Sequence, residues 1–386
     1  LKKLAIITTH PIQYNAPWFR LLAQRGKLAV KAFYTWGQVE QEEKYDPGFG
    51  KNVEWDIPLL EGYDYSFVKN VATDPGSHHY KGIDNPTLVN ELEEWGPDAM
   101  LVFGWSFKSH LKLLRYFKGK KAILFRGDSN LLDEPKGFSL KKAARRIFLR
   151  WIYHHVDTAL YVGSANQKYY KKMGMKDNQL VFAPHAVDNE RFCNGRDNMR
   201  KPFQIPGQDT IFLFSGKLEE KKNPALLLKA FISLNDPHAH LLFVGNGLLE
   251  DSLKKLVKEN EAAIQQGIHF AGFKNQSEMP GIYQSADILV LPSQGPGETW
   301  GLSVNEAMAA GCAVLVSDKC GCHAELVRDG TNGYVFKSND ERQLIKLMKK
   351  MLADKNELKK MQEASKRIIA AYSFDHVCKA IEEIMD

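Results

Sequence analysis

The chain has 386 residues, 44% of them hydrophobic and 25% charged, with a formal net charge of +6. That length exceeds what one core ordinarily serves, so two domains are expected, and the composition excludes a disordered or fibrous chain. No apolar run approaches the roughly 18 residues of a membrane-spanning helix, and five scattered cysteines (Cys193, Cys312, Cys320, Cys322 and Cys378) form no CxxC pair, which argues against a disulfide-stapled module and for a reduced, cytoplasmic setting.

The opening LKKLAIITTH runs a lysine pair into a strand pattern, so it reads as part of the fold rather than as a secretion signal. Strand patterns follow at Leu4–Thr8, Val30–Thr35, Asp98–Phe103, Lys121–Phe125, Thr158–Val162 and Leu180–Phe182. Helical patterns lie between several of them, at Pro17–Gln24, Phe107–Phe117 and Leu140–His154. Between Ser106 and Arg150 there are thirteen Lys/Arg against three Asp/Glu. Such a block points to an anionic partner or surface. Within it Leu140, Ala144, Ile147, Phe148, Trp151 and Ile152 form one apolar stripe at helical spacing, with Lys141, Lys142, Arg145, Arg146 and Arg150 off it. The stripe is expected to pack on the first sheet; an anionic membrane surface is the other partner it would suit. No recognition motif accompanies the cations, so nucleic acid is not expected.

The polar, breaker-rich stretch Asn194–Gln208 is the expected hinge. Beyond it strands are expected at Thr210–Ser215, His240–Val244, Ile268–Ala271, Asp287–Leu291 and Ala313–Ser317. Helices near Pro224–Leu234, Leu249–Asn260, Glu278–Gln284 and Gly301–Ala310 separate them. Helix is expected again from about Asp340 to Ala371, and a last helix, Asp375–Met385, could cross back to the first domain. Alternation of this kind predicts an α/β fold of two doubly wound, parallel-sheet, Rossmann-like domains facing across an interdomain cleft. The boundaries expected are 1–200 plus 373–386 for the first and 201–372 for the second.

The most informative segment is GETWGLSVNEAMAAG, Gly297–Gly311. Glu298 sits in a glycine-rich turn and Glu306 on the helix that opens at Gly301, which Gly311 then stops. The turn leaves backbone N–H groups at the positive end of a helix, a place for phosphate. Two acids there would repel phosphate and suit the neutral hydroxyls beside it. Lys217 and Lys222 bracket the turn after Thr210–Ser215, where ammonium groups would neutralise a diphosphate or simply be solvated. Val244-Gly245-Asn246-Gly247 fits close backbone approach to a ligand or plain packing, and the backbone past Gly272, at Phe273 and Lys274, could read a nucleobase edge. The Cys320-Gly321-Cys322-His323 cluster lacks a second ligand pair, so no metal is expected there.

Together these residues resemble the family-4 retaining glycosyltransferases of the GT-B fold, the bacterial-type group 1 glycosyltransferases. Glu298 through Glu306 is similar to the family's E-x7-E motif, and Gly216-Lys217-Leu218 with Lys222 to its diphosphate motif, with lysine for the usual arginine and Asn223 for a usual glycine. Pro184-His185-Ala186-Val187-Asp188 and Cys320-Gly321 with Glu325-Leu326-Val327 resemble two further motifs. The likeness runs from about Tyr161 to Phe336. In the first half it is looser: His10-Pro11-Ile12-Gln13-Tyr14-Asn15 lacks the family's glycine pair, leaving Gln13, Tyr14 or Asn15 to touch the donor.

The resemblance implies a retaining, metal-independent hexosyltransferase. It would move a sugar from a nucleotide-diphosphate sugar, UDP favoured and GDP the other base, to a glycan or lipid-linked glycan in surface polysaccharide or glycolipid synthesis. It implies Asp128, Lys217, Lys222 and Glu298 as catalytic residues. Gly216, Phe273, Lys274, Gly301, Leu302, Ser303 and Glu306 would bind donor, and Gln13, Tyr14, Asn15 and Trp105 would form the donor/acceptor side, Trp105 nearer the acceptor. No cofactor is expected: no Asp-x-Asp occurs to bridge a diphosphate through a divalent ion. The expected setting is cytoplasmic, with peripheral contact at the inner membrane face. A sugar-nucleotide epimerase on the same fold and a non-catalytic sugar-nucleotide-binding module are the competing readings.

Overall fold

In the computed structural model of the chain, residues 1–37, 44–46, 51–135, 137, 139–195 and 200–386 are described, with backbone alone at 44–46 and 51–53. The strands, in chain order, are β1 Lys2–Thr8, β2 Leu28–Tyr34, β3 Lys44–Asp46, β4 Lys51–Val53, β5 Asp64–Phe67, β6 Ala99–Phe103, β7 Ala122–Arg126, β8 Thr158–Tyr161, β9 Leu180–Phe182, β10 Thr210–Ser215, β11 Ala239–Val244, β12 Ile268–Phe270, β13 Ile288–Leu291, β14 Ala313–Ser317 and β15 Gly333–Phe336. The helices begin with α1 Ala16–Gln24, α2 Leu88–Trp95, α3 Lys108–Phe117, α4 Leu140–Tyr153, α5 Ser164–Lys172, α6 Asn189–Cys193 and α7 Pro224–Leu234. They continue with α8 Glu250–Lys258, α9 Ala262–Gln266, α10 Met279–Ser285, α11 Leu302–Ala310, α12 His323–Leu326, α13 Glu341–Leu352, α14 Lys355–Ile369 and α15 Phe374–Met385.

The chain divides into two compact units: Leu1–Glu42 with Ile57–Pro184 and Phe374–Asp386, and Glu43–Asp56 with His185–Ser373. The first carries a seven-stranded parallel sheet in the order β5-β2-β1-β6-β7-β8-β9, the second a six-stranded parallel sheet in the order β12-β11-β10-β13-β14-β15. Register is fixed along the central strands, with Leu4 beside Val30 and Ala99 in the first sheet and Phe212 beside Leu241 and Ile288 in the second. These strands are buried on both faces, as parallel strands covered by helices must be, and so read as continuous apolar runs. Both units have the α/β, Rossmann-like architecture the alternation predicts.

The change-over lies at Pro184/His185, earlier than the expected 200/201. The reason is α6. Arg191 donates to Gln276 Oε1 at 3.0 Å, and Gln284 Nε2 to Phe192 O at 2.8 Å, so the segment after β9 packs with α10. Residues 196–199 of the expected hinge lie outside the described residues. The last helix returns to the first unit as expected. Arg25, past α1, holds Glu382 of α15 by two bonds of 2.6 and 2.8 Å and Asp375 at 2.6 Å, and the guanidinium keeps the Glu382 carboxyl below the usual carboxylate range.

One expectation fails. Of the stripe on α4 only Ile152 is buried; with Leu149 and Tyr153 it makes the helix's inward face. These three join Phe125, Val156 and Tyr170 in the first core, whereas Leu140, Ile147, Phe148 and Trp151 are exposed. The helix is anchored by its C-terminal turns, and the wide apolar period continues past the part that meets the sheet.

Candidate active site

In an open parallel sheet the ligand crevice forms at the carboxyl ends of strands where the strand order reverses. In the second unit that point lies between β10 and β13. The turn after β10 supplies Gly216, Lys217 and Lys222, and the loop after β13 supplies Glu298. The two segments meet there. Lys222 Nζ lies 2.7 Å from Glu298 Oε2, with side-chain exposures of 16% and 10%. Ser293, fully buried at the same strand end, donates to that oxygen at 3.1 Å. The loops are also tied through backbone: Gln294 N donates to Lys221 O at 2.8 Å.

Neighbouring loops hold this arrangement at close range. A Cβ at Gly245 would fall 2.1 Å from Gly216 O, and Gly245 has φ +123°, so only glycine fits. Gly216 N donates to Val244 O at 2.9 Å and Leu218 N to Asn246 O at 3.0 Å. The Val244–Gly247 turn therefore shapes the Gly216–Lys222 turn beside it by packing. Gly321 acts likewise on the other side. A Cβ there would fall 1.7 Å from Thr299 O, and its N–H donates to Glu298 O at 3.0 Å while Cys322 N donates to Trp300 O at 3.0 Å. That two-rung contact fixes the Glu298 backbone. Asn223 stands in the left-handed region at φ 52°, ψ 49°, a conformation asparagine tolerates almost as glycine does.

The helix α11 starts next to Glu298 with Gly301 in the left-handed region and no side-chain cap. The N–H groups of Leu302 and Ser303 lie in its first turn, which has no intrahelical acceptors, and Ser303 Oγ is buried without a hydrogen-bond partner. Glu306 lies inside α11, 3% exposed. Tyr283 of α10 donates to its Oε2 at 2.7 Å, and the same phenol lies 2.9 Å from Ser215 Oγ at the end of β10. Glu298 and Glu306 thus approach the β10 end from two directions, one from a loop and one from a helix.

Phe273 and Lys274 follow β12. Lys274 pairs with Glu278 at 2.9 Å. Phe273 lies 6.4 Å, centroid to centroid, from Trp55, and Asn275 Nδ2 donates to Glu54 O at 2.7 Å. Sequence reasoning missed Trp55, because some 220 residues separate it from this loop. It also missed Tyr283, Trp300 and Asn305. Trp300 Nε1 donates to Asn305 Oδ1 at 2.8 Å, and Asn305 Nδ2 to His185 O at 2.9 Å, so the Pro184–Asp188 motif is fastened to the Glu298–Glu306 segment. The tryptophan directly before Gly301 was the available signal.

In the first unit the candidates come from three adjacent strands. Gln13, Tyr14 and Asn15 follow β1, Trp105 follows β6, and Asp128 follows β7. Asn15 Oδ1 accepts from buried Trp18 Nε1 at 3.4 Å. Asp128 is half-buried on a turn fixed by its neighbours: Tyr170 donates to Gly127 O at 2.9 Å and Asn166 to Ser129 O at 2.7 Å. Arg126, buried, donates to Ala183 O and Pro184 O at 2.8 and 2.9 Å. Burial pulls its guanidinium down to about 10, against the opposing pull of Asp128. His110 anchors the same strand ends. Its Nδ1 is 3.0 Å from Phe103 O and its Nε2 2.9 Å from Thr35 Oγ1, and burial pulls its pKa down to about 4.

Cys320 and Cys322 are buried, and burial pushes the Cys320 thiol up to about 12 and Cys322 well up. Neither joins a metal-type cluster among the described residues, where Asp74, His78 and His79 are the group brought together.

Residues 195–368 match the model of the family described as glycosyl transferases group 1. That matched stretch lies within the second unit. Among curated proteins, the chain is 31% identical over 223 residues to a lipopolysaccharide 1,2-N-acetylglucosaminetransferase of Salmonella typhimurium, covering 54% of this chain and 58% of that one. It is 26% identical over 218 residues to a D-inositol 3-phosphate glycosyltransferase of Corynebacterium urealyticum, covering 53% and 50%. The chain thus spans little more than half the length of these relatives. Its fold is that of solved GT-B glycosyltransferases. Anabaena HepE in complex with UDP aligns over 100% of this chain and 99% of its own at TM-score 0.73 and 15% identity. A sucrose-phosphate synthase from Thermosynechococcus elongatus aligns over 100% and 98% at TM-score 0.74 and 15% identity.

Proposed function

We propose that the chain is a retaining glycosyltransferase that moves a sugar from a nucleotide-diphosphate sugar, UDP in the first instance, to a hydroxyl of a glycan or lipid-linked glycan. The observation that carries this reading is the Lys222–Glu298 pair at the β10/β13 switch point, beside the uncapped start of α11. The group 1 match over the same residues supports it.

In this reading the diphosphate lies against Gly216 and the first turn of α11. Lys217, Lys222 and the N–H groups of Leu302 and Ser303 then face the charge that grows on the leaving phosphate, and they need not move to stabilise it. Glu298 accepts hydroxyls of the transferred sugar and Glu306 the ribose diol, with Phe273 at the base. Asp128, in the first unit, is the side chain the reading asks to act on the transferred sugar. The anomeric carbon–phosphate oxygen bond breaks, the acceptor oxygen bonds to that carbon on the same face, and the acceptor proton passes to the leaving phosphate oxygen. A double displacement would need a nucleophilic carboxylate close to the anomeric carbon. Glu298 is already held by Lys222 and Ser293, which favours the front-face route.

Metal independence belongs to the same proposal, since two lysines and a helix terminus supply the positive charge. Five free thiols support the cytoplasmic setting. The test is turnover of UDP-, GDP-, ADP- and CMP-sugars with and without a glycan acceptor, with the product anomer read by NMR. Acceptor-dependent release of nucleoside diphosphate supports the reading. Conversion of donor with no acceptor would favour an epimerase, and nucleotide binding without turnover a binding module.

A further inference from the structure

The loop between β5 and α2 carries a group of side chains that the candidate active site does not use. Asn85 Nδ2 donates to Thr35 O, Val68 O and Lys69 O at 3.0, 2.9 and 3.1 Å, so the loop is tied down where β2 and β5 end. Asn70 closes its neck. The Asn70 Oδ1 accepts from Ala72 N at 3.1 Å and Asp84 N at 2.8 Å, and its Nδ2 donates to Gly82 O at 2.9 Å. Gly76 N donates to the same carbonyl at 3.0 Å. A Cβ at Gly82 would fall 2.1 Å from Gly76 O, so the two backbone segments touch. The tip reads DPGSHH, a Pro-Gly turn signal between one carboxylate and two imidazoles.

That turn gathers the three side chains. His79 Nε2 lies 3.2 Å from Asp74 Oδ2, and His78 Nε2 lies 3.9 Å from the same oxygen. The two rings meet edge-on with centroids 4.6 Å apart. One ligand atom from each side chain lies within 4.8 Å of the other two, and no other group of three His, Cys, Asp or Glu does so among the described residues. Gly76 makes room for the His78 ring, since a Cβ there would fall 2.5 Å from Nδ1. Asp74 and His78 are exposed, and exposed pairs hold a fold only weakly. The neck, and not the cluster, therefore shapes the loop.

We propose that Asp74, His78 and His79 form a site for a transition-metal dication of the zinc type. Bonds of about 2.0–2.1 Å to a tetrahedral ion hold its donors roughly 3.3–3.4 Å apart. The 3.2 and 3.9 Å separations here come close to that. Two imidazoles and a carboxylate suit Zn²⁺, Co²⁺, Ni²⁺ or Cu²⁺, whereas Mg²⁺ and Ca²⁺ take oxygen ligands. Three protein ligands leave the fourth position to water. His79 Nε2 also lies 3.0 Å from Asp74 O, where it can donate a proton; to bind a metal through Nε2, the imidazole keeps its proton on Nδ1 instead. The ion clips the tip of a loop whose neck is already fixed. The inference goes beyond the proposed function and does not depend on it, because the site lies in the first unit and none of its residues belongs to the diphosphate chemistry. Removing the ion unclips a loop and leaves the lysines of the second unit as they are, so turnover in EDTA is still expected to survive.

The test is isothermal titration of the untagged full chain, stripped with chelator, with Zn²⁺, Mg²⁺ and Ca²⁺. One Zn²⁺ should bind per chain, at least about 10²-fold more tightly than Mg²⁺ or Ca²⁺. Removing even an outer-shell partner of a metal costs about 10–100-fold, so Asp74→Asn and His79→Gln should each weaken Zn²⁺ by at least about 10²-fold. Gly76→Ala keeps all three ligands but drives its Cβ into the His78 ring, and should cost about tenfold. His154→Gln with His155→Gln, at the other adjacent histidine pair, is the control and should bind as the wild type does. Co²⁺ at the site should give the visible bands of tetrahedral nitrogen and oxygen coordination, with no thiolate charge-transfer band. In chelator the variants should melt with the wild type, as surface substitutions do. Zn²⁺ should then raise the wild-type melting temperature and leave that of Asp74→Asn where it was. No Zn²⁺ binding, binding that Asp74→Asn and His79→Gln leave intact, or a thiolate band with Co²⁺ would overturn the proposal.

Discussion

Lys222 Nζ and Glu298 Oε2, 76 positions apart in sequence, stand 2.7 Å from one another where the second sheet reverses its strand order. Neither side chain is more than 16% exposed. The pair is therefore costly to half-remove: losing one partner of a buried ion pair costs about 3–5 kcal/mol, because the other charge stays behind. Both Lys222→Ala and Glu298→Ala should fall near the lower end, about 3 kcal/mol, and both should lose roughly 10²–10³ in turnover.

The two variants should part company with ligand. In Glu298→Ala the orphaned ammonium gains a partner when a diphosphate arrives, so UDP should raise its melting temperature at least as much as the wild type's. In Lys222→Ala the remaining carboxylate repels the diphosphate, so the shift should shrink or vanish. Equal shifts would mean that the lysine does not face the phosphates.

Gly245→Ala tests the packing of the cradle. Its new Cβ would lie 2.1 Å from Gly216 O at a positive φ, and such strain costs of order 1–3 kcal/mol or more. Gly207→Ala, with nothing within 4 Å of the built Cβ, is the control and should be neutral within about 0.5 kcal/mol. Urea unfolding of both variants measures the difference.

Stability should fall as pH falls from about 6.5 towards 4. Burial holds His110 neutral in the folded chain, with its pKa lowered from 6.5 to about 4. Across that window the unfolded chain binds a proton that the folded chain refuses, so acid favours unfolding. The stability is fully present above 6.5 and is lost through the window, by about 3 kcal/mol for a fully buried group. His269, lowered to about 4 by burial and by neighbouring His240, adds in the same direction. His110→Gln should flatten the slope of unfolding free energy between pH 6.5 and 4.5, and an unchanged slope would contradict the assignment.

Activity should survive excess EDTA, since the reading gives lysines and a helix terminus the role a divalent ion would otherwise play. Loss of turnover on chelation, restored by Mg²⁺ or Mn²⁺, would refute that part of the account.

Strands such as β9, β10 and β14 were legible to the residue, because they are apolar runs bounded by breakers. The start and stop of α11 were legible from Gly301 and Gly311, which both take left-handed conformations. The edge strand β5 was not, since DYSF has no clean alternation. The exposed face of α4 was misread because periodicity shows that a face exists but not whether anything covers it. Glu298 and Lys222 were found by their local turns, while their contact, like that of Phe273 with Trp55, is a product of topology and leaves no mark in local sequence.

The central claim is that the β10/β13 crevice holds a nucleoside diphosphate through its lysines. Isothermal titration of the wild type and the Lys217→Ala/Lys222→Ala double variant with UDP, and with GDP if UDP gives no heat, tests it most directly. The account predicts one site per chain in the wild type and an affinity at least 10²-fold weaker, about 2.7 kcal/mol, in the variant. Equal affinity in a variant shown to be folded would contradict it.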